Sequence, residues 1–345
     1  MLRSSRPLAL WLFTCAAAVF LMALVGAVTR LTESGLSIVE WRPVTGALPP
    51  LDDAGWDRAF DLYKTSPQYK QVNAGMSLAE FKQIYFWEWL HRFWGRMIGV
   101  IYFIPLVYFL ARKRIPDDAK KPLFGILALG FLQGLLGWFM VKSGLVDQPA
   151  VSHYRLAAHL GLALVIFCAL FRMGLNFSLN ENSPRPAEGQ NDALRPLIKI
   201  TLALAGLTIL WGAFVAGLRA GMIYNSFPLM GAHFWPDEIF ALSPLWKNFF
   251  ENHAAVQFTH RLLAILTFLQ TMFLVWKSFT FACPVRRRIL FIALGLTAWL
   301  QVALGITTLL TQVNLAAAVL HQAGALALLA LLMALLHDIP CVKKT

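Results

Sequence analysis

The chain has 345 residues, 58% of them hydrophobic and 14% charged, with a mean hydropathy of +0.60. Soluble domains carry about a quarter charged residues, so a soluble fold is excluded. The formal net charge of +12 does not make a nucleic-acid footprint, because the basic residues are spread over alternate loops, a pattern that reports membrane topology.

Eight apolar runs follow in chain order, near 8–29, 84–110, 123–141, 156–173, 197–218, 254–276, 289–310 and 315–336. Each approaches the ~20 residues that cross a hydrocarbon core as helix. The predicted fold is an all-α integral membrane protein, eight transmembrane helices arranged as two parallel-related four-helix bundles. The expected halves are residues 1–180 and 181–345. The first run resembles a signal peptide but is long for one, and seven more runs follow it, so it reads as a retained anchor.

Between the runs, Arg3 and Arg6, the stretch ARKRIPDDAKK (111–121), the 172–199 segment, Lys277 with Arg286 to Arg288, and Lys343 with Lys344 share one side. These segments hold most of the Lys and Arg, which places that side and both termini in the cytoplasm. The long loops 30–83 and 219–253 then lie outside. Cys15 and Cys168 fall in spans, Cys283 and Cys341 on the cytoplasmic side. No disulfide framework is expected on the oxidising side. No C-x-x-C-H occurs, which argues against covalent c-type haem.

The first four spans resemble the last four. LQGLLG (132–137) answers LQVALG (300–305), EWLHR (88–92) answers QFTHR (257–261), and YRLAAHLGLAL (154–164) answers LAAAVLHQAGALAL (315–328). More loosely, Arg30 through Pro50 answers Arg219 through Pro236. Four spans per unit leave both halves in the same orientation, a parallel repeat. His91, His159, His260 and His321 all sit in the first turns of even-numbered spans. At ~1.5 Å per residue they share one depth, about 10 Å below the outer surface. Two facing pairs result, His91 with His159 and His260 with His321. One buried histidine often only bonds a neighbouring carbonyl, but four at repeat-related positions favour ligation. A structural zinc would need all four groups at one point, so two bis-histidine haems suit the pattern better.

The halves differ at one telling position. Glu88 stands three residues before His91, on the same helix face, and its counterpart three before His260 is Gln257. The first half thus carries a carboxylate beside its histidine and the second does not, which divides the labour into a chemical half and a relay half. The plainer alternative makes Glu88 a structural ion pair with Arg92. Arg92, Arg96 and Arg261 suit haem propionates, which an arginine fork bonds in bidentate fashion; Arg96 suits snorkelling to headgroups equally well. The aromatics from Tyr85 to Trp94 read either as an interfacial belt or as a wall for a large flat ligand. SLAE (77–80) reads as a capping box that starts the second helix outside the membrane.

The run EFKQIYFWEWLHRFWGRMIG (80–99) closely resembles the signature of the haem A synthase family in its proteobacterial and mitochondrial branch. GAVTRLTESGLSIVEWRPVTGALPP (26–50), AGMIYNSFPLMG (220–231), VQFTHRLLA (256–264), LQVALGITTLLTQV (300–313) and LHQAGALALL (320–329) agree, so the resemblance covers nearly the whole chain. It implies conversion of haem O to haem A for terminal oxidases, by oxidation of a ring methyl to a formyl group, with water as the oxygen source. It further implies substrate haem on His91 and His159, an electron-passing haem b on His260 and His321, and a catalytic Glu88. Expected partners are haem O, a haem O synthase, an electron acceptor and membrane lipid, with oligomeric state left open. Some bacterial members carry a cysteine pair in an outer loop that this sequence lacks. Two other readings stand beside this one: a dihaem b-type electron-transfer cytochrome, and a transporter using its histidines as a proton relay.

Overall fold

The computed structural model describes residues 5–40, 45–144, 151–178, 193–338 and 342–343. Eight long helices are apolar enough to cross a membrane. They are α1 (Arg6–Leu31), α2 (Leu78–Ala111), α3 (Asp117–Gly144), α4 (His153–Ser178), α5 (Arg195–Gly217), α6 (His253–Ser278), α7 (Val285–Leu310) and α8 (Leu315–His337). Large apolar side chains such as Phe131, Leu269 and Trp299 point outward and are more than half exposed. That arrangement is stable only where lipid replaces water, and the helices satisfy their own backbone groups there. The all-α, eight-span expectation holds.

The second span begins where its polar prelude predicts. Ser77 Oγ accepts from Glu80 N at 3.3 Å while the Glu80 carboxylate accepts from Ser77 N at 2.8 Å, a complete capping box. The 34 residues of α2 span about 50 Å at ~1.5 Å per residue, well beyond the ~30 Å hydrocarbon core. The first turns of α2 therefore project beyond the apolar zone and meet the long preceding loop. That loop contains two short helices the sequence reading did not anticipate, Asp53–Lys64 capped by Asp52 and Pro67–Gln71 capped by Ser66. Phe60 and Tyr63 stack on Phe81 of α2 with ring centroids 5.0 and 5.1 Å apart. This aromatic core ties the loop to α2.

The chain forms two compact units, Ala17–Ala163, and Met1–Ala16 together with Leu164–Thr345. In the first, Trp94 Nε1 of α2 donates to the Ala18 carbonyl of α1 at 2.9 Å, and the Tyr102 hydroxyl of α2 donates to the Leu123 carbonyl of α3 at 2.7 Å. In the second, α5 packs on α6 and α8, and α7 packs on the same two helices, closing a ring of four. A 2.8 Å bond between the Thr208 and Thr267 hydroxyls links α5 to α6. The start of α1 joins this unit through the end of α4, where Phe13 lies against Gly174. Cys15 and Cys168 are free thiols, and Cys283, in the loop before α7, is disulfide-bonded, a bond the sequence reading did not foresee.

Candidate functional site

Each of the four histidines is half-buried and rests against a glycine of a neighbouring helix. A methyl group placed on Gly26 would lie 3.3 Å from His91 Nε2; on Gly137, Gly212 and Gly305 it would lie 3.1, 3.2 and 2.8 Å from Cε1 of His159, His260 and His321. Separations near or below 3 Å force something to move. The four glycines are therefore seats that let an imidazole lie flat on a helix backbone.

One turn before three of these glycines stands a group that fixes the histidine. Residues i and i+4 share a helix face, so Thr208 with Gly212, Gln301 with Gly305 and Gln133 with Gly137 present both functions together. His260 Nδ1 lies 3.1 Å from the Thr208 carbonyl and His321 Nδ1 lies 3.2 Å from the Gln301 carbonyl. A carbonyl oxygen only accepts, so each Nδ1 carries the proton and each Nε2 keeps its lone pair. A hydrogen bond of this kind, on the nitrogen turned away from the metal, orients a ligating imidazole. The Gln301 amide also donates to the His321 carbonyl at 2.8 Å, and the Gln133 amide repeats this on the His159 carbonyl at 3.1 Å. His159 differs at the ring. Its Nε2 lies 3.2 Å from the Gln133 amide nitrogen, and its Nδ1 is buried without a hydrogen-bond partner among the described residues.

His91 is close enough to His159, and His260 to His321, for the members of each pair to interact electrostatically. Among the described residues no three His, Cys, Asp or Glu side chains converge as a metal-ion site. The Nε2 lone pairs of His260 and His321 and the orphaned Nδ1 of His159 fit axial ligation of haem. They do not fit a tetrahedral ion.

Glu88 is 2% exposed and fully engaged. Its Oε2 accepts from Ser37 Oγ at 2.7 Å and from Ile38 N at 2.8 Å, while its Oε1 accepts from Arg92 Nη2 at 2.6 Å. Arg92 also donates to the Ile38 and Glu40 carbonyls at 2.9 and 3.3 Å. Gln257, likewise 2% exposed, builds the same clamp with inverted polarity. Its Nε2 donates to the Ala220 and Ile223 carbonyls, both at 2.7 Å, and its Oε1 accepts from Arg261 Nη2 at 2.9 Å. Arg261 donates in turn to the Tyr224 and Leu229 carbonyls at 2.7 and 3.3 Å.

The loops being clamped are themselves repeated. Glu33 and Arg219 both take left-handed backbone, at φ 56° and 55°, and each precedes a single 3-10 turn, Ser34–Leu36 and Ala220–Met222. The structural register thus pairs Glu33 with Arg219, three residues away from the pairing of Arg30 that sequence likeness alone suggests. To position 88 the first loop presents donors, and to position 257 the second presents acceptors. Carboxylate and amide are the side chains that answer them.

The structure therefore brings Glu88, Arg92 and His91 into one cluster of α2, and Gln257, Arg261 and His260 into its counterpart on α6. Arg96 stands one turn beyond Arg92, half-buried. Of the aromatics flanking Glu88, Tyr85 packs into the loop core against Trp56 with centroids 5.0 Å apart, and Trp89 donates to the Ala47 carbonyl at 2.9 Å. Sequence reasoning missed the seating glycines, Gln133, Gln301 and Ser37. The recurring Gln and Gly four apart in LQGLLG and LQVALG carried a usable signal, because that spacing puts both on one helix face.

The sequence pattern of the family described as "Cytochrome oxidase assembly protein" matches residues 9–333. The chain is 50% identical over 332 residues to a protein of Rhodospirillum centenum named "Heme A synthase", covering 96% of this chain and 88% of that one. It is 48% identical over 338 residues to a protein of the same name from Nitrosospira multiformis, covering 97% and 94%. A third, from Wolbachia pipientis, is 43% identical over 318 residues, covering 92% and 93%.

Proposed function

The chain belongs to the cytochrome oxidase assembly family that includes the heme A synthases, and from that premise we propose that it oxidises a ring methyl group of haem O to the formyl group of haem A. The observation that carries this reading is the pair of glycine-seated histidines in each unit. His91 and His159 hold the substrate haem in the N-terminal half, residues 1–180, and His260 and His321 hold a haem b in the C-terminal half, residues 181–345. When bound, the haem b supplies a one-electron relay toward an external acceptor.

Conversion of CH3 to CHO with water as the oxygen source releases four protons and four electrons. The chain's own groups have three tasks in it. The histidine pair fixes the substrate, and the Nδ1 bonds to Thr208 and Gln301 hold His260 and His321 in ligating orientation. Glu88 and Arg92 clamp the loop from Ser37 to Glu40 against α2, one turn from His91. Glu88 places a negative charge beside the substrate pair, where removal of electrons leaves positive charge to be offset. Gln257 has no such charge, which suits a haem that only relays. Arg92, Arg96 and Arg261, on the helices that carry His91 and His260, are assigned to the propionates beside the contacts Arg92 and Arg261 already make. The distribution of basic loops supports a topology with both termini in the cytoplasm, and the bacterial relatives support the inner membrane of a bacterium. A haem O synthase delivers the substrate.

Substitutions separate these roles. Glu88→Gln keeps the bound-haem absorbance and loses haem A formation, whereas His260→Ala loses the haem b signal. Full haem A formation by Glu88→Gln would remove Glu88 from the chemistry. One observation favours a second reading, a dihaem electron-transfer cytochrome: the polarity of the two loops accounts for glutamate at 88 and glutamine at 257 without any reaction. A protein of that kind leaves its haem composition unchanged.

A further inference from the structure

At the end of the Met1–Ala16 and Leu164–Thr345 unit away from His260 and His321, the last turns of α4 and α8 and the first turns of α5 line an open pocket of about 240 Å³. Arg172 of α4, Arg195 and Lys199 of α5, and His337 of α8 line it, with Met333 and Leu336 forming an apolar wall. Arg195 and Lys199 are four residues apart and so share one face of α5. His337 Nε2 and Asn176 Oδ1 are 2.9 Å apart; the amide oxygen accepts, so this ring nitrogen donates. The adjacent carboxylate, Asp338, lies 3.8 Å from Arg286. Arg172, Arg195 and Lys199 have no acidic or hydrogen-bonding partner among the described residues.

Topology alone explains basic residues near the ends of spans. It does not require three cations from two helices, none with an acidic partner among the described residues, to converge on a pocket beside the apolar side chains of Met333 and Leu336. Gathering like charges without a counter-ion is unfavourable, and an anion relieves it. Two arginine forks suit the non-bridging oxygens of a phosphate, and Lys199 adds a point charge. Met333 and Leu336 offer contact to the hydrocarbon that follows the phosphate. The pocket lies at the ends of three membrane-spanning helices, the level at which headgroups sit. We propose that it binds the phosphate headgroup of an anionic phospholipid, a site separate from both histidine pairs and independent of the activity assigned above.

The test uses the purified full-length protein in detergent with its native pigment. Binding of phosphatidylglycerol, phosphatidylcholine and inorganic phosphate is measured by native mass spectrometry. Phosphatidylglycerol should bind, and each of Arg172→Gln, Arg195→Gln and Lys199→Ala should weaken it about fivefold, the share of one cation near a headgroup. The charge-retaining Lys199→Arg should bind like the wild type, which separates lost charge from lost folding; elution profile and pigment absorbance check the latter. Lys121→Ala, a basic residue of the other unit, should have no effect. Equal binding by the three charge-removing variants, or equal weakening by Lys121→Ala, overturns the site. Inorganic phosphate binding as tightly as the lipid, or phosphatidylcholine binding equally well, overturns its assignment to an anionic lipid.

Discussion

Exchanging the clamp residues between the two units, Glu88→Gln and Gln257→Glu, tests whether each is matched to its loop. Glu88 has two acceptor oxygens and both are used, one by Ser37 Oγ and Ile38 N and the other by Arg92. Glutamine has one. If its oxygen keeps the loop, its NH2 faces the guanidinium of Arg92; if it keeps Arg92, its NH2 faces Ile38 N–H. The first arrangement breaks a buried ion pair, which costs about 3–5 kcal/mol when the remaining charge has nowhere to go. Arg92 retains two carbonyl acceptors, which brings this nearer ~2–3 kcal/mol. The second strands a buried donor, at about 1–3 kcal/mol. Either way Glu88→Gln should destabilise by ~1–3 kcal/mol. Gln257→Glu aims a buried carboxylate at the Ala220 and Ile223 carbonyls and removes the donor both depend on, so it should cost more, ~3–5 kcal/mol. The assay is denaturant-induced unfolding in detergent at matched haem content, since bound haem adds its own stabilisation. A Glu88→Gln protein within ~0.5 kcal/mol of wild type, or a Gln257→Glu protein milder than Glu88→Gln, refutes the polarity argument.

Alanine at the seating glycines should disturb haem absorbance in the order Gly305, Gly137, Gly212, Gly26, following distances of 2.8, 3.1, 3.2 and 3.3 Å. Alanine at Gly134 or Gly206, where no atom lies within 4 Å, should leave the spectrum unchanged. Ser77→Ala removes the cap of α2 and should cost about 1 kcal/mol, seen as faster hydrogen exchange in the first turn of α2 with the pigment unaffected. The Tyr224 hydroxyl holds Glu238 below the usual carboxylate range and is itself pushed up to about 12 by that carboxylate. The Glu238 contribution is therefore present above the ordinary glutamate pKa and fades as pH falls through the depressed value. The tyrosine contribution is present below ~10 and is lost as pH rises through about 12. In Tyr224→Phe the Glu238 titration, followed by carboxyl NMR, should move back up; an unmoved titration shows that the bond is not formed in solution.

The spans were legible because a lipid-facing helix must be apolar over its whole length, and that leaves a run no other fold requires. The start of α2 was legible for a different reason, a local signature of Ser77 and Glu80 three residues apart. The four histidines showed because internal repetition marks equivalent positions. The Glu88 clamp did not, since Ser37 is 51 residues from Glu88 and nothing local announces that the loop returns to α2. The repeat points to a difference at Glu88 and Gln257, and that difference reads as chemistry alone until the loops reveal that it also answers opposite hydrogen-bonding polarity. The helices at Asp53–Lys64 and Pro67–Gln71 were hidden in a polar loop whose caps, Asp52 and Ser66, were visible but not used. The seating glycines were hidden by their own ordinariness: glycine is common in membrane helices, and only the approach of an imidazole distinguishes Gly305 from Gly206.

The most direct measurement is the haem composition of membranes supplied with haem O, with and without this protein, resolved by organic extraction and chromatography. Haem A appearing only when the protein is present is the predicted result. Haem O recovered unchanged, beside a folded protein that carries haem B alone, would contradict it.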